Sequence, residues 1–138
     1  MKFWEYFIHT HKGQHAEGKS ESSKEQTLAT TLQQRVTPNY ISHLKENEIF
    51  VFGSNAWGRH SGGAARTAVR SFGAIMGQGH GLQGKSYAIN SMSGISDMIE
   101  DIKLFFEFAK ANPEKHFFVT PIGCGIAGYR PEEIAPLF

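Results

Sequence analysis

Two glycine-rich segments carry the residue types best suited to holding an anion. The first begins after Ile49–Phe52, four consecutive apolar residues, with Gly53-Ser54-Asn55, and it reaches Gly62-Gly63-Ala64-Ala65. An apolar strand that ends in a glycine turn, followed by a helix of small residues, lets backbone N–H groups converge on a phosphate or similar group. This segment therefore predicts an anion-binding turn.

The second segment, Gly123-Cys124-Gly125-Ile126-Ala127-Gly128-Tyr129, follows another apolar stretch that begins at His116. Its glycine spacing matches a dinucleotide-binding fingerprint, but no acidic residue follows at the distance that a ribose partner requires. The first segment is not a Walker loop either, since no Gly-Lys-Ser/Thr closes it. Each segment alone is a weak signal, and their combination is the stronger one.

Charge and composition narrow the classes of function. The chain has 138 residues, 40% of them apolar, and a net charge of +1, which predicts one small domain with no general attraction to nucleic acid or membrane. A local balance of +4 lies between Ile49 and Ser96, where four basic residues and no acidic residue occur. Arg66 and Arg70 in that span are most simply explained as a solvated helix face. A single cysteine excludes an internal disulfide, and the first eight residues are too short and too charged for a signal peptide, so a cytoplasmic protein is expected.

Strands and helices alternate after a polar leader. Residues 1–36 predict a flexible leader and residues 37–138 one α/β domain, in which either the last helix is very short or the domain continues past Phe138. The first predicted elements are a short helix capped by Thr37 with Ile41 and Leu44 facing inward, a strand Glu48–Phe52 and a helix from about Gly62 to Phe72. A glycine-rich loop 77–84 and a strand Ser86–Asn90 follow. The remaining elements are a helix capped by Ser93 or Ser96 and ended by Lys110 and Asn112-Pro113, a strand His116–Thr120 and a helix that begins near Pro131.

This alternation favours a mainly parallel sheet with helices on both faces. The carboxyl ends of parallel strands meet at one edge, so both glycine turns and the turn after Asn90 are expected together there. Three strands are few for a stable sheet. A further strand from the Ile75-Met76 region or the N-terminal segment, or pairing in a homodimer, is therefore expected.

The two segments together resemble those of macrodomains. Phe52-Gly53-Ser54-Asn55 followed by Gly62-Gly63-Ala64-Ala65 is similar to the strand, asparagine, glycine-rich loop and small-residue helix of that family, and residues 123–129 are similar to its second loop. The similarity covers Glu48–Phe138. It implies a three-layer α/β/α sandwich with a mainly parallel, mixed sheet, of a divergent bacterial or phage type. It also implies that the ligand is ADP-ribose, a related nucleotide diphosphate or an ADP-ribosylated macromolecule.

The resemblance assigns roles to residues of both segments. Asn55 would contact the distal ribose, Gly62-Gly63 would approach it with bare backbone, the second loop would wrap the diphosphate, and Tyr129 would close over the site. Cys124 stands where serine or threonine is usual, Ala127 replaces an aromatic residue, and the adenine-selecting aspartate has no counterpart. The predicted ligand-binding set is Gly53, Ser54, Asn55, Gly62, Gly63, Ala64, Asn90, Gly123, Cys124, Gly125, Ile126, Ala127, Gly128 and Tyr129.

Binding without catalysis is the first of three hypotheses. The second is ADP-ribosyl hydrolysis, in which Asn55 and His60 are the catalytic candidates, His80 is the next base, and no carboxylate is available on the first loop. The third is an interaction protein in which the glycines serve packing only. Cys124 has no assignable histidine partner for a nucleophilic role. No cofactor and no metal is expected, because His9, His11 and His15 have no scaffold or acidic partner.

Overall fold

The fold is an open, mixed sheet of four strands with three helices, a small α/β arrangement. A computed structural model describes residues 41–125 and 127–138. The strands are β1 (Glu48–Ser54), β2 (Gly81–Gln83), β3 (Ser86–Asn90) and β4 (His116–Val119), and the helices are α1 (Gly63–Ser71), α2 (Ile95–Ala111) and α3 (Pro131–Ile134), the last followed by a 3-10 turn at Ala135–Leu137.

β1 lies inside the sheet because its residues are apolar on both faces. The strand order is β2-β3-β1-β4, and β1 pairs in parallel with β3 and β4. Its register pairs Ser54 with Asn90 and Val51 with Val119. The carboxyl ends of the three parallel strands therefore lie at one edge, as the alternation of strands and helices predicts.

Side chains of β1 and β3 divide alternately between two apolar clusters. Val51, Tyr87 and Ile89 pack with Met98, Ile102 and Phe105 of α2 and with Ile134 of α3. The other cluster contains Phe50, Phe52 and Ala88 with Ala65, Ala68 and Phe72 of the α1 region. This alternation follows from the two-residue side-chain period of a strand.

The small residues of α1 allow close packing on β1, as predicted. Ala65 and Ala68 are buried, and Ala64 and Val69 are partly buried against the same cluster. Arg66 and Arg70 are exposed on the opposite side, which confirms the predicted solvated face. The helix ends where expected, since Phe72 is its C-cap and Gly73 follows with a φ of +77°.

Several predicted details are corrected. The helix expected after Thr37 is absent from residues 41–45, although Ile41 and Leu44 do pack against the α1 cluster; Thr37 itself lies outside the described residues. The fourth strand is Gly81–Gln83, antiparallel to β3, rather than the Ile75-Met76 region. Gln83 is drawn inward because its amide satisfies the backbone N–H of Ile75 at 2.7 Å.

The start of α2 also differs from the prediction. Its N-cap is Gly94, with a φ of +99° and no side-chain cap. Ser93 is engaged elsewhere, because its Oγ accepts a hydrogen bond from Asn90 Nδ2 at 2.8 Å. Within residues 41–125 and 127–138, no helix has both the length and the apolar character needed to cross a membrane.

Candidate functional site

A cavity of about 380 Å³ opens at the carboxyl edge of the sheet. It is lined by Gly53, Ser54, Asn55, Arg59, Ser61, Gly62, Gly63, Ala64, Ala65, Ser91, Met92, Thr120, Pro121, Ile122, Gly123, Gly125 and Ala127. The two glycine segments, far apart in the sequence, thus share one cavity. Small side chains and bare backbone make up most of its wall.

The first loop, residues 55–62, is closed on itself by the side chain of Asn55. Asn55 Oδ1 accepts a hydrogen bond from the backbone N–H of Arg59 at 2.9 Å, and Asn55 Nδ2 donates to the Arg59 carbonyl, also at 2.9 Å. The Asn55 carbonyl accepts a third hydrogen bond, from Gly58 N at 3.0 Å. The amide of Asn55 therefore holds the loop in shape, and the family resemblance alone did not imply this role.

The segment 77–81 packs directly behind the first loop. Gly77 N donates to the Gly58 carbonyl at 2.9 Å. A Cβ atom at Gly79 would lie only 2.3 Å from the carbonyl oxygen of Asn55, and one at Gly58 would lie 2.3 Å from Gln78 N. Glycine is needed at Gly58 and Gly79 because two backbones approach within van der Waals contact there. They support the cavity wall but do not line the cavity.

His60 lies behind the wall rather than in it. The side chain is buried, with its ring edge-on to Phe52 at a centroid distance of 5.0 Å. Its Nε2 is 3.0 Å from the Gln78 carbonyl and its Nδ1 is 3.5 Å from Ser54 Oγ. Because a carbonyl only accepts, Nε2 donates to the Gln78 carbonyl, and Nδ1 faces Ser54 Oγ, which also lies within donating distance, 3.3 Å, of the Asn55 carbonyl. His60 thus connects the first loop to the segment 77–81, and its contact with the cavity wall is made only through Ser54.

The second loop, residues 121–128, is shaped by its own backbone. Tyr129 N donates to the Gly123 carbonyl at 2.9 Å, and Gly128 N donates to the Gly125 carbonyl at 3.0 Å. Thr120 ties the end of β4 to β1, since its Oγ1 donates to the Val51 carbonyl at 2.8 Å. Gly125 is exposed, and a Cβ atom there would meet nothing within 4 Å, so its backbone is open to the cavity.

The thiol of Cys124 is turned away from the cavity. Its Sγ lies 3.5 Å from the Ile122 carbonyl, and Cys124 is not among the lining residues. Burial raises the pKa of this thiol, and the nearby carboxylates of Glu132 and Glu133 raise it further. The thiol form is therefore favoured over the nucleophilic thiolate.

The turn after β3 contributes through Ser91 and Met92, which line the cavity, while Asn90 does not. Asn90 is occupied locally: its Oδ1 accepts from Met92 N at 3.1 Å and its Nδ2 donates to Ser93. Ser91 N donates to the Ser54 carbonyl at 3.0 Å, which ties this turn to the end of β1.

Nine residues of the predicted set line the cavity: Gly53, Ser54, Asn55, Gly62, Gly63, Ala64, Gly123, Gly125 and Ala127. Four do not, namely Asn90, Cys124, Gly128 and Tyr129, and Ile126 lies outside the described residues. The residues that sequence reasoning missed are Arg59, Ser61, Ala65, Ser91, Met92, Thr120, Pro121 and Ile122. Each lies within a few positions of a predicted residue, so extending every turn to its flanking residues would have found them.

Electrostatically, the cavity wall is neutral apart from one cation. Arg59 is the charged residue among the lining residues, and none of them is acidic. In the part of the chain that the structure describes, no group of three or more histidine, cysteine, aspartate or glutamate residues is placed to hold a metal ion. The arrangement is suited to an anion.

Comparisons with protein-family models, with curated proteins and with solved structures found no match to this chain.

Proposed function

We propose that this protein binds ADP-ribose or a related nucleotide diphosphate in the cavity at the carboxyl edge of the sheet. The observation that carries the proposal is that two glycine turns, each following a parallel strand, line the same cavity. Ligands of open α/β sheets bind at this edge, in the crevice outside the carboxyl ends of the strands. The ligand would lie across both turns, with its phosphates against backbone.

The backbone at the start of α1 supports an anionic ligand. The N-cap is Gly62, and no side-chain hydrogen bond caps the helix. The first N–H groups of a helix have no partner within it, and the helix dipole adds positive potential there. Gly63, Ala64 and Ala65 belong to this first turn, and all three line the cavity. A phosphate oxygen at this end of the cavity would satisfy those donors.

The division of the apolar core supports a macrodomain-like, three-layer α/β/α arrangement. One cluster contains residues of α1 and the other contains residues of α2 and α3, and strand residues alternate between them. Helices on both faces of a mostly parallel sheet are the usual way to bury strands that are apolar on both sides. The resemblance of both loops to macrodomain loops motivates the choice of ADP-ribose among nucleotide diphosphates.

Calorimetry with ADP-ribose tests the proposal. The unaltered chain should bind, and Gly125→Glu should abolish binding because a carboxylate would project from a position that is now open to the cavity. Leu104→Glu is the matched control, since it adds the same charge at an exposed position of α2, outside the cavity lining. A thermal-shift panel of ADP-ribose, NAD, ATP and phosphate gives a second readout through ligand linkage. Absence of binding to every member by the unaltered chain would reject the proposal and leave the glycines as packing residues.

Hydrolysis of an ADP-ribosyl bond is a second candidate, and one observation favours it. Nδ1 of His60 lies 3.5 Å from the hydroxyl of Ser54, a residue of the cavity wall. With Nδ1 of His60 unprotonated, a water in the cavity would give a proton to Ser54 Oγ while Ser54 gives its own proton to Nδ1. The hydroxide would bond to the ribosyl carbon as the bond from that carbon to the modified side chain breaks, and the proton on His60 would return through Ser54 to the departing side chain. Release of ADP-ribose from a modified protein should then be lost in His60→Ala and in Asn55→Ala. Turnover that survives both substitutions would refute these assignments.

A further inference from the structure

Arg59 is the charged side chain of the cavity, and it forms no ion pair in the part of the chain that the structure describes. The two ion pairs within residues 41–125 and 127–138 are Lys103 with Glu100 and Lys110 with Glu107, and both lie on α2. Arg59 is exposed and lies on a wall without a carboxylate. Its guanidinium, whose planar fork matches two phosphate oxygens, is therefore available to an anion.

Asn55 fixes the main chain from which the Arg59 side chain extends. Both backbone polar atoms of Arg59 are held by the Asn55 amide, at 2.9 Å each. The opposite side of the same turn is buttressed by the backbone of Gly79, whose approach leaves no room for a Cβ atom. The main chain of Arg59 is thus held by the two hydrogen bonds from Asn55, and the turn that carries it packs against Gly79 through Asn55 and Ala56.

We propose that Arg59 makes the ionic contact with a phosphoryl group of the ligand and that Asn55 is the positioning residue for Arg59 rather than a direct ligand contact. This inference rests on the proposed function, because it concerns the ligand of the same cavity. The inferred ligands are phosphorylated sugars and nucleotides, which the site would hold through a charged side chain as well as through backbone N–H groups. The Asn55 amide is already hydrogen-bonded within the loop, so it influences ligand affinity by fixing the position of Arg59.

The first test removes the charge and keeps a matched control. Arg59→Gln should raise the dissociation constant for ADP-ribose about ten- to a hundredfold, the range expected for a hydrogen bond to a charged group. It should also flatten the dependence of affinity on salt, since screening acts on the ionic contact. Arg66→Gln removes the same charge from the outer face of α1, outside the cavity lining, and should leave both quantities close to those of the unaltered chain. Arg59→Lys should keep the salt dependence and lose part of the affinity, because it retains the charge but not the planar fork.

The second test separates positioning from direct contact. Asn55→Ala and Arg59→Gln are measured singly and together, with thermal unfolding of each variant as the check on folding. If Asn55 acts through Arg59, the double variant should bind little more weakly than Arg59→Gln alone. If Asn55 touches the ligand independently, the two losses should multiply, which would overturn the positioning role. Should Asn55→Ala not fold, Asn55→Ser replaces it in the cycle, because a neutral hydroxyl keeps a hydrogen-bonding group in the turn without adding a charge to the cavity wall.

The outcomes distinguish this inference from the function on which it rests. If the unaltered chain binds none of ADP-ribose, NAD, ATP and phosphate, the proposed function fails. If it binds ADP-ribose but Arg59→Gln behaves like Arg66→Gln in affinity and in salt dependence, the proposed function stands and the role of Arg59 is refuted.

Discussion

Gly79→Ala is expected to destabilise the protein and to disturb the cavity together. The added Cβ atom would lie 2.3 Å from the Asn55 carbonyl oxygen and 3.0 Å from that of Ala56, and both are backbone atoms that cannot rotate away. Overpacking of this kind costs about 1–3 kcal/mol, and the reduced freedom of the unfolded chain returns about 0.4–1 kcal/mol. With the middle of each range, the expected net loss in free energy of unfolding is about 1.3 kcal/mol. For a domain of about 100 residues, that loss corresponds to a fall in Tm of about 5–10 °C.

The control is the same substitution at a glycine with space around it. A Cβ atom at Gly125 would meet nothing within 4 Å, and Gly125 is not among the glycines with positive φ. Gly125→Ala should therefore leave the free energy of unfolding unchanged or raise it slightly. Urea denaturation of both variants, followed by circular dichroism, measures the difference, and calorimetry with ADP-ribose measures the effect on the loop. A Gly79→Ala variant as stable as the unaltered chain would refute the close backbone approach on which the description of the first loop depends.

Three further predictions concern the core and the two groups with shifted pKa values. Phe105→Ala should lower the free energy of unfolding, measured by urea denaturation, by about 3–5 kcal/mol, because the ring is buried against Tyr87 and Phe117. Leu104→Ala should lower it much less, because Leu104 is half-exposed. Equal losses would contradict the packing of α2. Burial and the charge of Asp101 raise the pKa of Tyr87, so the stability that this tyrosine contributes should be fully present below about pH 10 and be lost as pH rises from the ordinary tyrosine pKa through the raised one. Asp101→Asn should shift the formation of the Tyr87 tyrosinate to lower pH, read by ultraviolet absorbance against Tyr87→Phe. An unchanged titration would exclude the contribution of Asp101. Burial and the two glutamates raise the pKa of the Cys124 thiol, so its alkylation by iodoacetamide at neutral pH should be slower than that of free cysteine. The reaction should be faster in Glu132→Gln, which removes one of the charges. Rapid alkylation of the unaltered chain would contradict the raised pKa.

Local sequence signals predicted most of the secondary structure. The apolar run from Ile49 and the small residues after Gly62 each predict their element because strand burial and close helix packing depend on nearby residue types. The strand Ser86–Asn90 was predicted with its observed bounds. The short helix expected before β1 was wrong in residues 41–45, where Ile41 and Leu44 pack inward from an irregular segment. An inward pair alone does not require a helix.

The candidate site was predictable in its location but not in its internal roles. Both glycine turns were expected at one sheet edge from the rule that governs parallel strands, and both line the cavity. His60 and Asn90 were expected at the ligand, yet the first is buried behind Ser54 and the second is bonded within its own turn. Their positions depend on the Gln78 carbonyl and on Ser93, and a single sequence does not reveal which partner a polar side chain takes.

The sequence by itself determined the alternation of strands and helices, the two turns of bare backbone and the acid-free stretch between Glu48 and Asp97. Only the tertiary structure decided that Arg59 stands in the wall, that Asn55 is committed to the loop, and that Gly79 lies against it. The physical reason is the separation along the chain between the residues that interact. Apolar periodicity and glycine freedom act between neighbours in the chain, whereas the direction of a hydrogen bond and the room for a Cβ atom depend on atoms that folding brings together from distant segments.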